Sequence, residues 1–397
     1  MGHASTPRTE ETVHVAYIYT RRIPLEDADT QQVLSTVDAL AGRGLAVDLI
    51  VPWGLTAMLR GRADFEAAVR SFYGVEQGFV IRPLYTVEPS RFEAERPAHG
   101  LLASLLLARR YDLVHTRSRA TVLLCAQLGI PVVFESYRLL HRDHPLLARL
   151  LSAVASRPAF MGVITHSEQA AASIRQAGIP ASKVEVVHNG YDPRKFEPRL
   201  DQAEARRALG LAVEGKRVVY TGNVNPDKGI GCILDLAAAR PEVGFSIVGG
   251  KRDELSALQE DVRARGLTNV SCPGFVQAAA LTPYLYAADI LIIPPTAGPL
   301  QVSGRTVLPL KVFSYLAAGR AILAPSTPDV QEVLVDGENA RLVTPDDPQA
   351  ALAGLDGLLG DQALCARLGA GALETAAALT WSARAERIEG LYRRWMP

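Results

Sequence analysis

Residues 289–325, DILIIPPTAGPLQVSGRTVLPLKVFSYLAAGRAILAP, constrain the fold more than any other stretch. They open with an apolar run at 290–293, short enough for a buried strand. A loop rich in Gly, Pro, Ser and Thr follows, over 294–307. Pro309 suits the first turn of a helix, where its missing N–H is no loss. That helix is expected to run to Ala318, stop at Gly319 and lead into a second apolar run, 321–324. Strand, loop, helix and strand make one parallel βαβ unit. Its loop lies at the carboxyl edge of the sheet, where the free N–H groups of the helix start face any ligand. Those amides together with Arg305 suit a phosphate; taken alone, a solvent loop with a helix cap fits the same residues.

The same alternation runs through the chain. Strands are expected at 13–19, 45–51, 79–83, 111–115, 131–134, 162–165 and 184–187. Helices are expected between them at 30–41, 65–72, 101–109, 120–128, 144–156 and 167–176, with a loop at 88–97. His188-Asn189-Gly190-Tyr191-Asp192-Pro193 then combines Asn-Gly with Asp-Pro, a turn or linker signature. The alternation restarts with strands at 217–221, 244–248, 270–272, 290–293, 321–324 and 341–343. Residues 347–396 read as helical throughout, with Trp381, Tyr392 and Trp395 to anchor the end. The expected class is α/β: two Rossmann-like, doubly wound parallel-sheet domains, 1–190 and 191–379, facing a cleft. A last helix, 380–397, is expected to pack back on the first domain.

Composition narrows the function classes. The 397 residues are 48% hydrophobic and 21% charged, enough to bury two sizeable cores. Lys plus Arg and Asp plus Glu are both 42, so nothing in the overall charge points to nucleic acid. The four cysteines, Cys125, Cys232, Cys272 and Cys365, are far apart and form no CxxC pair, which fits buried thiols in a reducing compartment. MGHASTPRTEET at the start has no apolar core for a signal peptide, and no apolar run approaches the ~18 residues of a membrane span. A cytoplasmic location is expected. Residues 138–157, RLLHRDHPLLARLLSAVASR, mix arginine with leucine at helical spacing, a pattern that fits an amphipathic core helix or a weak membrane-surface contact.

Four stretches, in order, resemble glycosyltransferase family 4, the retaining, nucleotide-sugar-dependent enzymes of GT-B fold. They are VEVVHNGYDPRKFEP (184–198), VVYTGNVNPDKGI (218–230), the pair FSIVGG (245–250) and CPGFV (272–276), and PLKVFSYLAAGRAILAP (309–325). The resemblance is strongest from 184 to 395 and only architectural before that. It implies an acceptor side in the first domain and a donor side in the second. Lys228, after a strand and near a helix start, would hold the donor diphosphate and stabilise it as it leaves. Gly222, Gly249 and Gly250 allow close backbone approach. Phe275 and Val276 stand where the family contacts the base. Ser303, Gly304, Thr306, Lys311 and Ser314 are further donor-side candidates.

The departures matter. The family's arginine after the first Gly is Asn223 here, and Arg305 is placed to replace it. The family's two glutamates, eight residues apart, fall on Thr306 and Ser314, neither of them acidic. Tyr137 stands where relatives often carry a sugar-touching histidine, and the loop after the first strand carries Arg21-Arg22 in place of a Gly-Gly pair. Arg21, His115, Arg117, Glu135 and Tyr137 are the acceptor or sugar-binding candidates. The resemblance implies same-face transfer from a UDP- or GDP-sugar to an acceptor hydroxyl, with no metal and no cofactor besides that co-substrate. The missing arginine and glutamates keep open a degenerate, non-catalytic GT-B binding protein. An epimerase-like GT-B enzyme, using Glu135 and His115 as acid and base, is a third reading. Oligomeric state is left open.

Overall fold

The computed structural model describes residues 12–54, 58–59, 61–76, 78–86, 95–302 and 308–396. Among the described residues two all-parallel sheets are present, one of seven strands and one of six. The first holds β1 (His14–Ile18), β2 (Ala46–Trp53), β3 (Val80–Tyr85), β4 (Leu113–Thr116), β5 (Val132–Ser136), β6 (Phe160–Thr165) and β7 (Val184–Val186). Their order is β3-β2-β1-β4-β5-β6-β7. The second holds β8 (Arg217–Thr221), β9 (Gly244–Val248), β10 (Val270–Gly274), β11 (Ile290–Ile292), β12 (Ala321–Pro325) and β13 (Arg341–Val343), in the order β10-β9-β8-β11-β12-β13. Strand order therefore reverses beside β1 in one sheet and beside β8 in the other. At such a reversal the loops on the two sides diverge and leave a crevice at the carboxyl edge.

The central strands are apolar on both faces because helices cover both sides. Helices Ala28–Gly42 and Arg62–Tyr73 pack on one side of the first sheet, and Glu95–Leu106, Arg119–Gln127, Pro145–Ala155 and Glu168–Gln176 on the other. Three of these helices start on side-chain caps: Asp27, Ser118 and Ser167 each accept a backbone N–H from their own first turn.

Some elements differ from the sequence reading. The helix before β4 begins at Glu95, inside the stretch expected to be loop, and 88–94 lie outside the described residues. The helix expected from 144 begins at Pro145, because proline favours a first turn, and a separate turn, Leu140–Asp143, precedes it. The C-terminal region is three helices, Pro348–Gly360, Gln362–Ala377 and Trp381–Trp395. Asp361 and Thr380 cap the second and third through their side chains, which stops the preceding helix at each point.

The chain crosses between the two sheets twice, and the crossings lie side by side. Tyr191 N–H donates to the Leu379 carbonyl (3.0 Å) and Trp381 N–H to the Tyr191 carbonyl (3.0 Å). A Cβ on Gly190 would sit 2.4 Å from the Thr380 carbonyl carbon, so only glycine lets the strands meet. After the return, Ala385, Ile388, Leu391 and Tyr392 join the core of the first sheet. The two halves also clasp each other directly. Glu332, from the second half, accepts the backbone N–H groups of Glu168 (2.6 Å) and Gln169 (3.2 Å), the unsatisfied donors at the start of a first-half helix.

Candidate active site

A cleft of about 580 Å³ opens between the two carboxyl edges. Its floor is built by the second sheet. β8 ends at Thr221, whose N–H is held by the Tyr315 hydroxyl (2.8 Å) from helix Lys311–Ala318. That bond fixes the helix beneath the crevice and places Lys311, one turn earlier, and Ser314 on the cleft wall. The Lys311 ammonium lies 3.5 Å from the centroid of the Tyr220 ring. It makes no hydrogen bond or ion pair among the described residues. Lys228, at the end of the short turn Pro226–Lys228 after β8, lines the same cavity. Burial, and then the charge of Lys228, hold the Lys311 ammonium well below its ordinary range. Two lysines thus share one floor at the point where strand order reverses.

Backbone approach at this floor is close. Gly222 (φ 133°) and Gly249 (φ 121°) end neighbouring strands in conformations that L side chains rarely adopt. A Cβ on Gly249 would stand 2.2 Å from the Gly222 carbonyl oxygen. Gly249→Ala is therefore expected to destabilise the fold by about 2 kcal/mol or more, through both strain and overlap. Urea unfolding checks this, and a midpoint equal to that of the parent would refute the packing argument.

The remaining donor-side candidates line the cleft as well: Asn223, Gly250, Phe275 and Val276. Asn223 lends its carbonyl to the Tyr220 hydroxyl (2.6 Å). The Phe275 ring stands 6.3 Å from that of Phe72, nearly parallel, across the gap between the halves. Ser303, Gly304, Arg305 and Thr306 lie outside the described residues.

The first-half candidates separate into two groups. Arg21 and Tyr137 reach the cleft, Arg21 paired with Asp27 (2.6 Å) and Asp29 (3.3 Å). His115, Arg117 and Glu135 do not line it. They lie beneath it in a sealed network. Glu135, 2% exposed, accepts from Tyr17 (2.5 Å), from Arg117 (3.0 Å) and from Arg384 of the last helix (2.6 Å). Burial alone would raise the Glu135 carboxyl, but the Arg117 and Arg384 charges outweigh it and hold it well below the usual range. His115 Nδ1 meets the Tyr392 hydroxyl at 2.5 Å, and burial lowers its proton affinity. The placement of these three groups corrects the sequence reading of them as cleft-facing sugar contacts. Arg117 touches the cleft indirectly through Asp29 (2.5 Å), and Glu135 does so through Gln32, whose amide donates to it (3.2 Å).

Several cleft residues were not among the site candidates read from the sequence. Asp29 and Arg138 face it from the first half, and Tyr220, Thr296 and Asp329 from the second. Asp329 also shapes its wall by accepting the Leu308 N–H (2.8 Å) at a backbone position with φ 53°. Among the described residues no group of three His, Cys, Asp or Glu side chains could hold a metal ion.

Comparison with known proteins follows the two halves. A family model described as Glycosyltransferase Family 4 matches residues 30–195, and one described as Glycosyl transferases group 1 matches 215–361. D-inositol 3-phosphate glycosyltransferase of Acidothermus cellulolyticus is 29% identical over 229 residues, covering 54% of this chain and 49% of that protein. D-inositol 3-phosphate glycosyltransferase 2 of Catenulispora acidiphila is 25% identical over 311 residues, 72% of this chain and 71% of that one. The chain thus spans about half the length of the first of these relatives. In fold it is similar to Anabaena Alr3699/HepE, solved in complex with UDP, with a TM-score of 0.74 at 17% identity over 96% of this chain and 100% of that one. Sucrose-phosphate synthase from Thermosynechococcus elongatus gives 0.74 at 19% identity, over 96% and 98%. With two parallel sheets facing one cleft and both family models matched in order, the chain has the GT-B architecture and resembles the family-4 glycosyltransferases in both halves.

Proposed function

We propose that the cleft transfers a glycosyl group from a nucleoside diphosphate sugar to an acceptor hydroxyl, with retention at the anomeric carbon. The observation that carries this reading is the pair Lys228 and Lys311 at the strand-order reversal, beside the close-packed Gly222 and Gly249. Two lysines, one of them ready to take up a proton, and a bare backbone edge suit a diphosphate. The bond from the anomeric carbon to the diphosphate oxygen breaks. The bond to the acceptor oxygen forms on the same face, and the acceptor proton passes to the departing diphosphate. The side chains position the donor and offset the growing charge. The relatives' names support a transferase, and the UDP in the HepE structure supports a uridine nucleotide as the first donor to test.

Glu135 and His115, which an epimerase reading needs as acid and base, are sealed under the cleft, and this favours transfer over epimerisation. The reading is tested by incubating the protein with UDP- and GDP-sugars, with and without hydroxyl acceptors, and following nucleotide release and product configuration. Failure of UDP, GDP and their sugars to shift the melting temperature at millimolar concentration would sink it and leave a degenerate GT-B protein.

Donor binding is expected to take up a proton. An arriving diphosphate raises the depressed proton affinity of Lys311 toward the ordinary lysine value of about 10.4. Affinity is then greatest below the free-state value and falls as pH rises through the bound-state value, by up to about tenfold per pH unit between the two. Titration calorimetry of UDP in buffers of different ionisation enthalpy reads the proton directly. Lys311→Met should abolish the buffer dependence; the same dependence in that variant would assign the proton elsewhere.

A further inference from the structure

The first sheet has two helical layers, and they differ in character. The layer formed by helices Glu95–Leu106, Arg119–Gln127 and Pro145–Ala155 turns Ala103, Val122, Cys125, Ala148 and Leu151 inward to the sheet. Outward it shows leucine. Leu101, Leu102, Leu105 and Leu106 on the first helix are exposed, Leu105 by 61%. Leu146 and Leu150 on the third are exposed by 75% and 55%. Single exposed leucines are common, but four on one helix and two on another of the same layer make an apolar face that calls for a partner.

The charges interleaved with them are of one sign. Arg96, Arg109, Arg110, Arg119, Arg149 and Arg157 are exposed on or beside these helices. Of the acids between 95 and 158, Glu95 is buried against Arg22, Glu135 lies in the core network, and the Asp143 side chain is 1% exposed. Asp112 is exposed but sits at the far, amino edge of the sheet, accepting the His14 N–H. The chain as a whole has no net charge, so this layer is a local excess of positive charge.

We infer that this layer is a docking face for the surface of an anionic phospholipid bilayer. Leucine side chains enter the boundary between head groups and acyl chains, while the guanidinium groups bind lipid phosphates. A second copy fits worse, because a two-fold contact would set arginine against arginine. Nucleic acid would use the arginines but gives the leucines nothing to bury against. The face adjoins the cleft: Arg142, just before Pro145, donates to the Leu300 carbonyl (2.9 Å) on the cleft wall, and Arg138 lines the cavity. A bilayer docked here lies next to the mouth. Among the described residues no helix is long and apolar enough to cross a membrane, so the contact is peripheral.

The test is co-sedimentation of the full chain with vesicles of phosphatidylcholine, alone and mixed with phosphatidylglycerol, at low and physiological salt. Binding to the mixed vesicles is expected to be at least about tenfold tighter than to the neutral ones, and to weaken with salt. Arg149→Gln should weaken it about fivefold, and Leu105→Ser with Leu150→Ser about tenfold or more. These positions are exposed, and an unchanged melting temperature for each variant would separate lost docking from lost folding. No binding to the mixed vesicles, or equal binding to both kinds, overturns the inference. So does binding to duplex DNA as tight as to the mixed vesicles and indifferent to the leucine changes. Self-association that the leucine changes abolish, without vesicle binding, would assign the face to a second copy and overturn it equally.

Discussion

Lys228→Ala is expected to slow transfer by about 10²–10³-fold, the usual loss when one preorganised donor to a developing oxyanion is removed. The argument is positional. Lys228 sits at the end of the turn that follows β8, and β8 lies beside the reversal of strand order, where a ligand meets the sheet edge. Negative charge on the diphosphate grows as the sugar leaves, so the cation binds the transition state more tightly than the ground state. The loss should therefore fall mainly on kcat, with a smaller rise in KM. Lys311 lies close enough to feel the charge of Lys228, so the two act on one anion. Removing both should cost less than the sum of the separate losses expressed as free energies. Initial rates with a saturating nucleotide sugar decide the matter. A drop under about fivefold with UDP binding intact would remove Lys228 from the chemistry while leaving the fold assignment untouched. Failure of UDP, GDP and their sugars to bind the parent protein would instead remove the transferase reading itself.

The second half was legible to the residue in several places because its strands are short apolar runs bounded by glycine or charge. β8, β9 and β13 begin and end where the pattern places them. Gly319, expected to stop the central helix, does so at φ 65°, a conformation that glycine takes without strain. The first half was legible as alternation but not as chemistry. His115, Arg117 and Glu135 stand at strand ends, and a strand end looks the same in sequence whether its side chain opens to a cleft or is roofed by a helix. Here the roof comes from the far end of the chain: Arg384 is 249 residues beyond the glutamate it meets. No spacing rule reaches that far. Lys311 poses the opposite problem. Its place on the helix was readable, but its suppressed charge arises from burial and then from Lys228, and only the folded sheet edge brings these about.

That buried network sets the last expectation: Arg384→Met should destabilise the protein by about 3 kcal/mol at neutral pH. Arg384 is 2% exposed, and its guanidinium does three jobs at once. It pairs with Glu135 at 2.6 Å, donates to the carbonyls of Val187 and His188 (3.0 Å to the second), and approaches Thr36 at 3.4 Å. The carbonyls belong to the segment where the chain leaves the first sheet for the second. Methionine fills much of the volume but leaves Arg117 as the one guanidinium beside the Glu135 charge, and a buried charge that loses a partner costs about 3–5 kcal/mol. The lower end applies because Arg117 remains, at 3.0 Å. The pH dependence follows from the sign of the shift. The folded-state carboxyl lies below its unfolded value of about 4.3, so its contribution is complete above that value and is lost as pH falls through the folded value. In the variant the carboxyl is less depressed, so the contribution is smaller and its loss begins at higher pH. Urea melts from neutral to acid pH, with the exposed Arg393→Met as control, measure both effects. A loss under about 1 kcal/mol at neutral pH would mean that the pair is merely neutral, as a well-packed apolar replacement can be. The last helix would then be held to the first sheet by Ile388, Leu391 and Tyr392 rather than by charge.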